Sequence, residues 1–208
     1  MAKSQKRYTV GTQCECRPYG YYSCDNFFTE KELSQIWEEI YRAFENGWFV
    51  IDEKSASKTL DGKPRSYRYA YWPNEIPTWS GKNSAIMKHV TKIFGEHQKK
   101  FSECCFAAKS IDACGRYNCV VNYYHDHGVY APHMDDAICT AVYFLETQYS
   151  DFSGGEFVLT ELDETIEFKN NKMVLFPSQA FHGVKPVRLN SEEAPWGDGR
   201  FAITQFIS

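Results

Sequence analysis

RYNCVVNYY, residues 116–124, begins the part of the chain that decides the fold. Six further stretches of similar apolar, β-branched and aromatic character follow it: CTAVYFL at 139–145, GEFVLTE at 155–161, ETIEFK at 164–169, KMVLFP at 172–177, GVKPVRL at 183–189 and GRFAITQFI at 199–207. Asp, Gly, Asn and Pro residues, which favour turns, separate these stretches. Seven short strands at this spacing predict a β-sandwich or barrel.

The preceding part of the chain shows helical periodicity instead. From Thr29, with Glu32 three residues on as a capping box, apolar residues recur along one helical face as far as Phe44. The same spacing returns from Ser84 to Cys105. These patterns predict two amphipathic helices that pack against the β-rich part of the chain.

A short apolar run at 48–51 predicts a strand, and residues 52–79 predict a long loop with strand character. No internal repeat or low-complexity linker divides the 208 residues, so we predict a single domain, 1–208. The predicted fold class is α+β. Helices and loops in residues 1–114 support a double-stranded β-helix, or jelly roll, in residues 115–208.

The composition limits the class of protein. Hydrophobic residues make up 43% of the chain, charged residues 24%, and no apolar run is long enough to span a membrane, which predicts a soluble, globular protein. The first residues lack the apolar stretch of a secretory signal, so we expect a cytoplasmic protein. The eight cysteines have no framework spacing and are expected to be reduced thiols.

The charge balance bears on the partners of the protein. A net charge of -4 and a pI near 5.9 disfavour a nucleic-acid partner. One segment is the local exception: a basic patch from Lys54 to Arg68 is followed by aromatic residues as far as Trp72, and we interpret it as a solvated loop next to an aromatic strand. We expect no membrane partner.

A few polar residues lie at the ends of predicted strands. His133 and Asp135 form an HxD pair in the segment YAPHMDDA, and His182 follows the apolar run at 173–176. Two imidazoles and one carboxylate make the facial triad that holds Fe(II) with positions open for oxygen chemistry. Arg200 begins the last predicted strand, where a guanidinium group can form a bidentate pair with the carboxylate of a co-substrate.

The segment His125-Asp126-His127 also offers two imidazoles, as a zinc site would. No paired Cys or His group accompanies it at the spacing of a structural zinc site. We interpret this segment as an active-site loop.

Four motifs follow one another in a fixed order: His133-Met134-Asp135, Gly154-Gly155-Glu156, FPSQAFHGVKPV at 176–187 and GRFAITQF at 199–206. As an ordered set they resemble the Fe(II)/2-oxoglutarate dioxygenase superfamily, and most closely its prolyl 4-hydroxylase-like branch. The resemblance covers roughly residues 115–208. It implies a jelly-roll enzyme, a hydroxylase that uses Fe(II), 2-oxoglutarate and O2.

The resemblance also implies roles for individual residues. His133, Asp135 and His182 become the iron ligands and the catalytic centre. Arg200 becomes the partner of the C5 carboxylate of 2-oxoglutarate, and Thr204 in the same strand is expected to support the co-substrate.

Two assignments remain open for the strand before the HxD pair. Relatives of the AlkB type carry Asn-x-Tyr eleven and nine residues before the first ligand, which selects Asn122 and Tyr124. Prolyl hydroxylases place a tyrosine ten residues before that ligand, which selects Tyr123. Adjacent residues of a strand face opposite sides, so both tyrosines cannot contact the co-substrate. We favour Tyr124.

The implied reaction is hydroxylation of a C–H bond or oxidative removal of a methyl group, because an aspartate at the second ligand position resembles hydroxylases rather than halogenases. The prolyl-hydroxylase-like motifs favour a prolyl or other residue of a peptide or protein as the substrate. A free amino acid or small metabolite is the second hypothesis. AlkB-like oxidation of a nucleobase is the third, and it is disfavoured because Ala202 and Phe206 stand where the AlkB-type ending has Asn and Arg. A jelly-roll binding protein is the non-enzymatic alternative.

Overall fold

The structure is a computed structural model that describes residues 8–10, 14–16, 20–51, 65–75, 83–191 and 196–208. The strands in these residues are β1 Tyr8–Val10, β2 Cys14–Cys16, β3 Tyr22–Cys24, β4 Val50–Ile51, β5 Ser66–Tyr67, β6 Tyr69–Tyr71, β7 Tyr117–Tyr124, β8 Val129–His133, β9 Cys139–Leu145, β10 Phe152–Gly154, β11 Phe157–Leu159, β12 Glu164–Ile166, β13 Met173–Pro177, β14 His182–Val184, β15 Val187–Leu189 and β16 Arg200–Ile207. The α-helices are α1 Glu30–Glu45, α2 Ala85–His89 and α3 Glu96–Cys104, and 3₁₀ helices span Val90–Ile93, Phe106–Ala113 and Thr160–Leu162.

The strands form two main antiparallel sheets. The larger sheet has the order β1-β2-β3-β13-β9-β16-β7-β6-β4, and the smaller one has the order β12-β11-β14-β8-β5. A separate pair, β10 and β15, lies outside both sheets. This arrangement confirms the predicted α+β fold with a jelly roll.

The central strands of the larger sheet are buried on both faces, which explains why their sequences are apolar almost without interruption. On the inner face, Val142 and Phe144 of β9 pack with Phe157 and Phe176 in a cluster inside the jelly roll. Residues on the outer face join a second cluster that includes the buried side of α1. The inner cluster lies beside the functional site, and the outer cluster joins the helices to the sheet.

Helix α1 begins where the sequence predicts. The Thr29 hydroxyl accepts a hydrogen bond from the Glu32 backbone at 3.3 Å, and the Glu32 carboxylate accepts one from the Thr29 backbone at 2.7 Å. This reciprocal pair confirms the capping box. Ile36 and Ile40 are fully buried against the sheet, while Phe44 at the C-terminal end is 43% exposed.

The second helical region is not one continuous helix, contrary to the prediction. Helix α2 leads into a 3₁₀ turn, and α3 begins only after Gly95, whose φ is +104°. Backbone with this φ favours glycine and cannot continue a right-handed helix, so the chain changes direction there. No helix in the described residues is long and apolar enough to cross a membrane.

The N-terminal half contributes strands as well as helices. β1, β2 and β3 extend the larger sheet beyond β13, β6 and β4 extend it beyond β7, and β5 adds to the smaller sheet. These strands have two or three residues each, too few for a periodic sequence signal. They cover the backbone edges that β13, β7 and β8 would otherwise expose.

Cys14 and Cys24 lie directly opposite each other in the β2–β3 pair, and their sulfur atoms form a disulfide. The prediction of reduced thiols is therefore wrong for this pair. Strand register, which the spacing in the sequence did not reveal, brings the two side chains together.

A buried carboxyl group ties α1 to the region around α2. Glu39 is 2% exposed and accepts hydrogen bonds from the Tyr71 hydroxyl at 3.0 Å, the Ser84 hydroxyl at 2.7 Å and the Ile86 backbone at 3.1 Å. Glu39→Ala leaves three buried donors without a partner, so we expect the free energy of unfolding to fall by about 3 kcal/mol in chemical denaturation. Glu38→Ala, on the exposed side of the same helix, should change it by less than about 0.5 kcal/mol. Equal effects of the two substitutions would contradict this account.

Candidate active site

Two neighbouring strands of the smaller sheet bring the predicted metal-binding residues together. His133 ends β8, His182 begins β14, and the two residues face each other in the antiparallel register. Asp135 lies in the turn after β8. Its two carboxylate oxygens lie 3.5 Å from His133 Nε2 and 3.3 Å from His182 Nε2. All three side chains are buried, and the group has the composition and spacing of a potential metal site.

The same backbone contact orients both histidine rings. His133 Nδ1 lies 3.0 Å from the carbonyl oxygen of Ala131, and His182 Nδ1 lies 3.0 Å from that of Ala180. A carbonyl oxygen can only accept, so each Nδ1 carries a proton, and each Nε2 is the ring nitrogen directed at Asp135 and at a metal bound there. Metal-binding histidines are oriented in this way by an outer hydrogen-bond partner.

Asp135 is fixed by the strands on either side of it. Its backbone N–H donates to the Ser178 carbonyl at 3.0 Å, and its carboxylate accepts from the Thr140 hydroxyl at 2.7 Å. Burial, the largest single effect, raises the pKa of Asp135, but hydrogen bonds from His133, His182 and Thr140 together outweigh it. The net pKa lies well below its usual range, so the carboxylate stays ionised.

Burial also lowers the pKa of His133, although Asp135 opposes this change. A neutral imidazole and an ionised carboxylate are the protonation states that metal ligands require.

Arg200 lies deeper in the jelly roll with its guanidinium group enclosed by aromatic rings. Its central carbon lies 5.1 Å from the ring of Tyr124, 5.2 Å from that of Phe144 and 5.3 Å from that of Phe168. The side chain is 1% exposed, and none of its three nitrogens has a hydrogen-bond partner within the described part of the chain. Burial lowers the pKa of Arg200 to about 10, so it remains a cation at neutral pH.

An unpaired buried cation is costly, and a carboxylate is the group that best satisfies its planar set of donors. Arg200 lines a narrow cavity of about 40 Å³ that also contains His133, Asp135 and His182. The residues present therefore fit a ligand that places one carboxylate on Arg200 and donates oxygen atoms to a metal at the triad.

The side chains of Tyr123 and Tyr124 lie on opposite faces of β7. Tyr124 lines the narrow cavity and lies opposite Arg200 in the β7–β16 register. Tyr123 faces the outer cluster, where its ring lies 4.4 Å from that of Phe201 and its hydroxyl accepts from the Gly197 backbone at 3.0 Å. Only Tyr124 is placed to contact a ligand in the cavity.

Asn122 and Thr204 lie on neighbouring strands next to Tyr124. The Asn122 amide donates to the Thr204 hydroxyl at 2.9 Å, and Thr204 lines the cavity. The Asn122 side-chain oxygen is buried and has no partner among the described residues. The pair thus places one hydroxyl group and one amide oxygen near the cavity.

A wider cavity of about 580 Å³ is lined by His133 and Asp135 of the triad and opens outward. Tyr130 forms part of its wall and stacks on the His133 ring, with 3.6 Å between the ring centroids and 16° between the planes. The Arg68 guanidinium lies 4.4 Å from the centroid of Tyr130. The remaining wall of this cavity includes Trp72, Arg116, Tyr117, Asp136 and Phe206.

Several of these residues were missed by sequence reasoning. Thr140 and Ser178 are single polar residues at the ends of apolar strands, which is a signal that the sequence carries. Tyr130 carries no such signal, because its contacts with His133 and Arg68 depend on how β8 pairs with β5. Of the basic and aromatic segment, residues 52–64 are outside the described part, whereas Arg68 and Trp72 line the wide cavity.

The His125-Asp126-His127 segment is used differently from a metal site. Asp126 accepts a hydrogen bond from the Leu189 backbone at 3.1 Å, and His127 contacts Asp126 at 2.9 Å and the Arg188 guanidinium. The segment packs against β15 and is not among the metal-ligand groups found in the described ranges. It is likewise absent from the residues that line the two cavities.

The fold and the site define a jelly-roll enzyme of the non-haem, metal-dependent oxygenase class. Residues 119–208 match the model of the 2OG-Fe(II) oxygenase superfamily. The protein is therefore a dioxygenase that uses Fe(II), 2-oxoglutarate and O2. No curated protein matches the sequence.

Solved structures share the fold. A prolyl-4-hydroxylase from Pseudomonas putida matches with a TM-score of 0.60 and 15% identity over 91% of this chain and 92% of that one. A prolyl hydroxylase from Trichoplax adhaerens, in complex with a hypoxia inducible factor peptide fragment, matches with a TM-score of 0.57 and 16% identity over 91% and 83%. A viral collagen prolyl hydroxylase of Paramecium Bursaria Chlorella virus-1 matches with a TM-score of 0.51 and 17% identity over 90% and 94%. At these identities the likeness concerns the fold alone.

Proposed function

We propose that the chain is a single-domain hydroxylase, residues 1–208, which acts on a prolyl or other residue of a peptide or protein. His133, Asp135 and His182 hold the iron, and Arg200 holds the C5 carboxylate of 2-oxoglutarate. The observation that carries the co-substrate assignment is the buried guanidinium group of Arg200, which has no partner among the described residues and lines the same cavity as the triad.

Each residue has a defined task in this proposal. Iron with 2-oxoglutarate and O2 supplies the oxidant for an unactivated C–H bond. His133 and His182 direct Nε2 at the metal because their Nδ1 protons are held by backbone carbonyls. Thr140 holds the Asp135 carboxylate in place at 2.7 Å. Thr204 and Tyr124 border the cavity between the triad and Arg200, where they orient the co-substrate and help to exclude water.

The wide cavity is the proposed substrate site. Its volume of about 580 Å³ and its open side suit a segment of peptide chain better than a small molecule that must be enclosed. Aromatic residues Trp72, Tyr130 and Phe206 offer apolar surface for a ring such as that of proline. The structural neighbour in complex with a peptide fragment supports the same class of substrate.

The other substrate classes receive less support. Ala202 and Phe206 line the narrow cavity where a nucleobase-oxidising enzyme of the AlkB type would have Asn and Arg. A free amino acid or small metabolite is not favoured by a cavity that opens to the outside, and it is kept as an outcome of the test.

The test measures 2-oxoglutarate-dependent succinate release with four substrate sets: proline-containing peptides, matched peptides with alanine in place of proline, free amino acids, and methylated single-stranded DNA. We expect stimulation by peptides, together with the addition of one oxygen atom to a peptide residue in mass spectrometry. Stimulation by proline peptides but not by alanine peptides would identify the residue. Stimulation by free amino acids or DNA alone would contradict the peptide proposal.

Gly155 gives a test of the co-substrate cavity that leaves its polar groups intact. Gly155 has a φ of +70°, and a Cβ at this position would lie 2.9 Å from Arg200 Cδ and 3.0 Å from Val187 Cγ2. Gly155→Ala should therefore displace Arg200 at a cost of about 1–2 kcal/mol, which corresponds to a roughly tenfold higher Kd for 2-oxoglutarate. Gly47→Ala, where φ is +67° and a Cβ meets nothing within 4 Å, is the matched control and should leave this Kd unchanged. An unchanged Kd in Gly155→Ala would argue against the placement of 2-oxoglutarate beside Arg200.

A further inference from the structure

A second group of metal-ligating side chains lies away from the active site. Cys14 on β2, Cys24 on β3 and His97 on α3 place two sulfur atoms and one ring nitrogen within 4.8 Å of one another. Both cysteines are buried and His97 is half-buried. The proposed iron site uses none of these residues, and they lie outside residues 119–208, which the superfamily model matches.

The histidine is what distinguishes this group from a simple disulfide. A cross-strand disulfide between Cys14 and Cys24 needs no imidazole beside it. His97 is also oriented as metal-binding histidines are, because the Tyr22 hydroxyl bonds its Nδ1 at 2.9 Å and Phe27 packs beside its ring at 5.0 Å.

We propose that Cys14, Cys24 and His97 form a zinc site when the two thiols are reduced. Two thiolates and one imidazole are the soft donors that select zinc, and they leave one position of its tetrahedral coordination for a further ligand. Zn–S bonds of about 2.3 Å in tetrahedral geometry hold two sulfurs about 3.8 Å apart. The side chains reach this separation by rotation about their Cα–Cβ bonds.

The structure records the oxidised form of this site, with Cys14 and Cys24 bonded. A dithiol reductant converts that form to the zinc-binding one. The dithiol gives two electrons and two protons, the S–S bond breaks to two thiols, and the dithiol becomes a cyclic disulfide. Zn²⁺ then binds the two sulfurs and releases the two thiol protons.

Zinc would link distant parts of the chain. β2 and β3 add to the larger sheet through β13, whereas His97 belongs to α3. A metal that binds only the folded arrangement stabilises it in proportion to its concentration above Kd. The site therefore joins the N-terminal hairpin to α3.

The experiment measures zinc content in a protein whose iron site is disabled by His182→Ala, after purification with a dithiol, exposure to Zn²⁺ and removal of loose metal. We expect one zinc per chain, and less than a tenth of that amount after a further Cys24→Ser or His97→Phe substitution. Cys114→Ser, at a free cysteine elsewhere, is the matched control and should keep the zinc. Replacement of zinc by Co²⁺ should give a thiolate-to-cobalt charge-transfer band that disappears in Cys24→Ser.

Circular dichroism of each variant separates loss of the site from loss of folding. If His97→Phe does not fold, His97→Gln replaces it. Absence of zinc and of the cobalt band from the reduced His182→Ala protein would overturn the proposal, and so would retention of both in Cys24→Ser and His97→Phe. The zinc measurement does not depend on 2-oxoglutarate turnover, because His182→Ala disables the iron site.

Discussion

Replacement of His182 by alanine is expected to weaken Fe(II) binding by more than about 100-fold and to reduce succinate release to background. Removal of a hydrogen-bond partner of a metal ligand already costs about 10–100-fold in metal affinity or activity, and a direct ligand contributes more. His182 is buried opposite His133, and no other imidazole belongs to this ligand group in the described residues. Anaerobic Fe(II) titration followed by a succinate assay measures both effects.

His127→Ala is the matched control for this substitution. His127 is a 69% exposed histidine of the rival metal segment, and it contacts Asp126 and Arg188 rather than the triad. We expect its Fe(II) affinity and succinate release to stay close to those of the wild type. Loss of iron binding in His127→Ala with retention in His182→Ala would reverse the assignment of the metal site.

Arg200→Met is expected to affect ligand binding and stability in opposite directions. Removal of one partner from a buried charge pair costs about 2–5 kcal/mol, so 2-oxoglutarate should bind about 100-fold more weakly or not at all. In the ligand-free protein, however, methionine replaces a buried cation that lacks a hydrogen-bond partner among the described residues. We therefore expect the free energy of unfolding without 2-oxoglutarate to rise by about 1 kcal/mol or more.

Chemical denaturation with and without 2-oxoglutarate measures both parts of this prediction. The wild type should be stabilised by the ligand, and Arg200→Met should not respond to it. Arg188→Met, which removes an arginine that contacts His127 at the surface, should keep the wild-type response. A ligand-free Arg200→Met protein that is strongly destabilised would mean that Arg200 serves mainly to pack the core.

The fold was predictable where periodicity is long. α1 has sixteen residues with a capping box at Thr29, and β7 and β16 have eight residues each, most of them buried. The break at Gly95 and the short strands β1 to β3 were not predicted, because three residues carry no period and the positions of these strands depend on long-range pairing. The Cys14–Cys24 bond was missed for the same reason.

The site was predictable in its residue types but not in its geometry. The order of the motifs selected His133, Asp135, His182 and Arg200, and the structure brings all four to one cavity. The choice between Tyr123 and Tyr124 required the register of β7 against β16, which sets the inner face of the sheet. Tyr130 was not identified from the sequence, because only the structure shows that its ring stacks on the His133 ring.

In the proposed function, the triad and Arg200 together hold Fe(II) and 2-oxoglutarate. The most direct test is anaerobic addition of Fe(II) and then 2-oxoglutarate, with observation of the weak visible charge-transfer band of the chelated co-substrate in the wild type and in Arg200→Met. The account predicts a saturable band in the wild type, which Arg200→Met weakens or shifts to much higher 2-oxoglutarate concentration. A wild-type protein that binds Fe(II) at the triad but gives no band at any concentration of 2-oxoglutarate would contradict it.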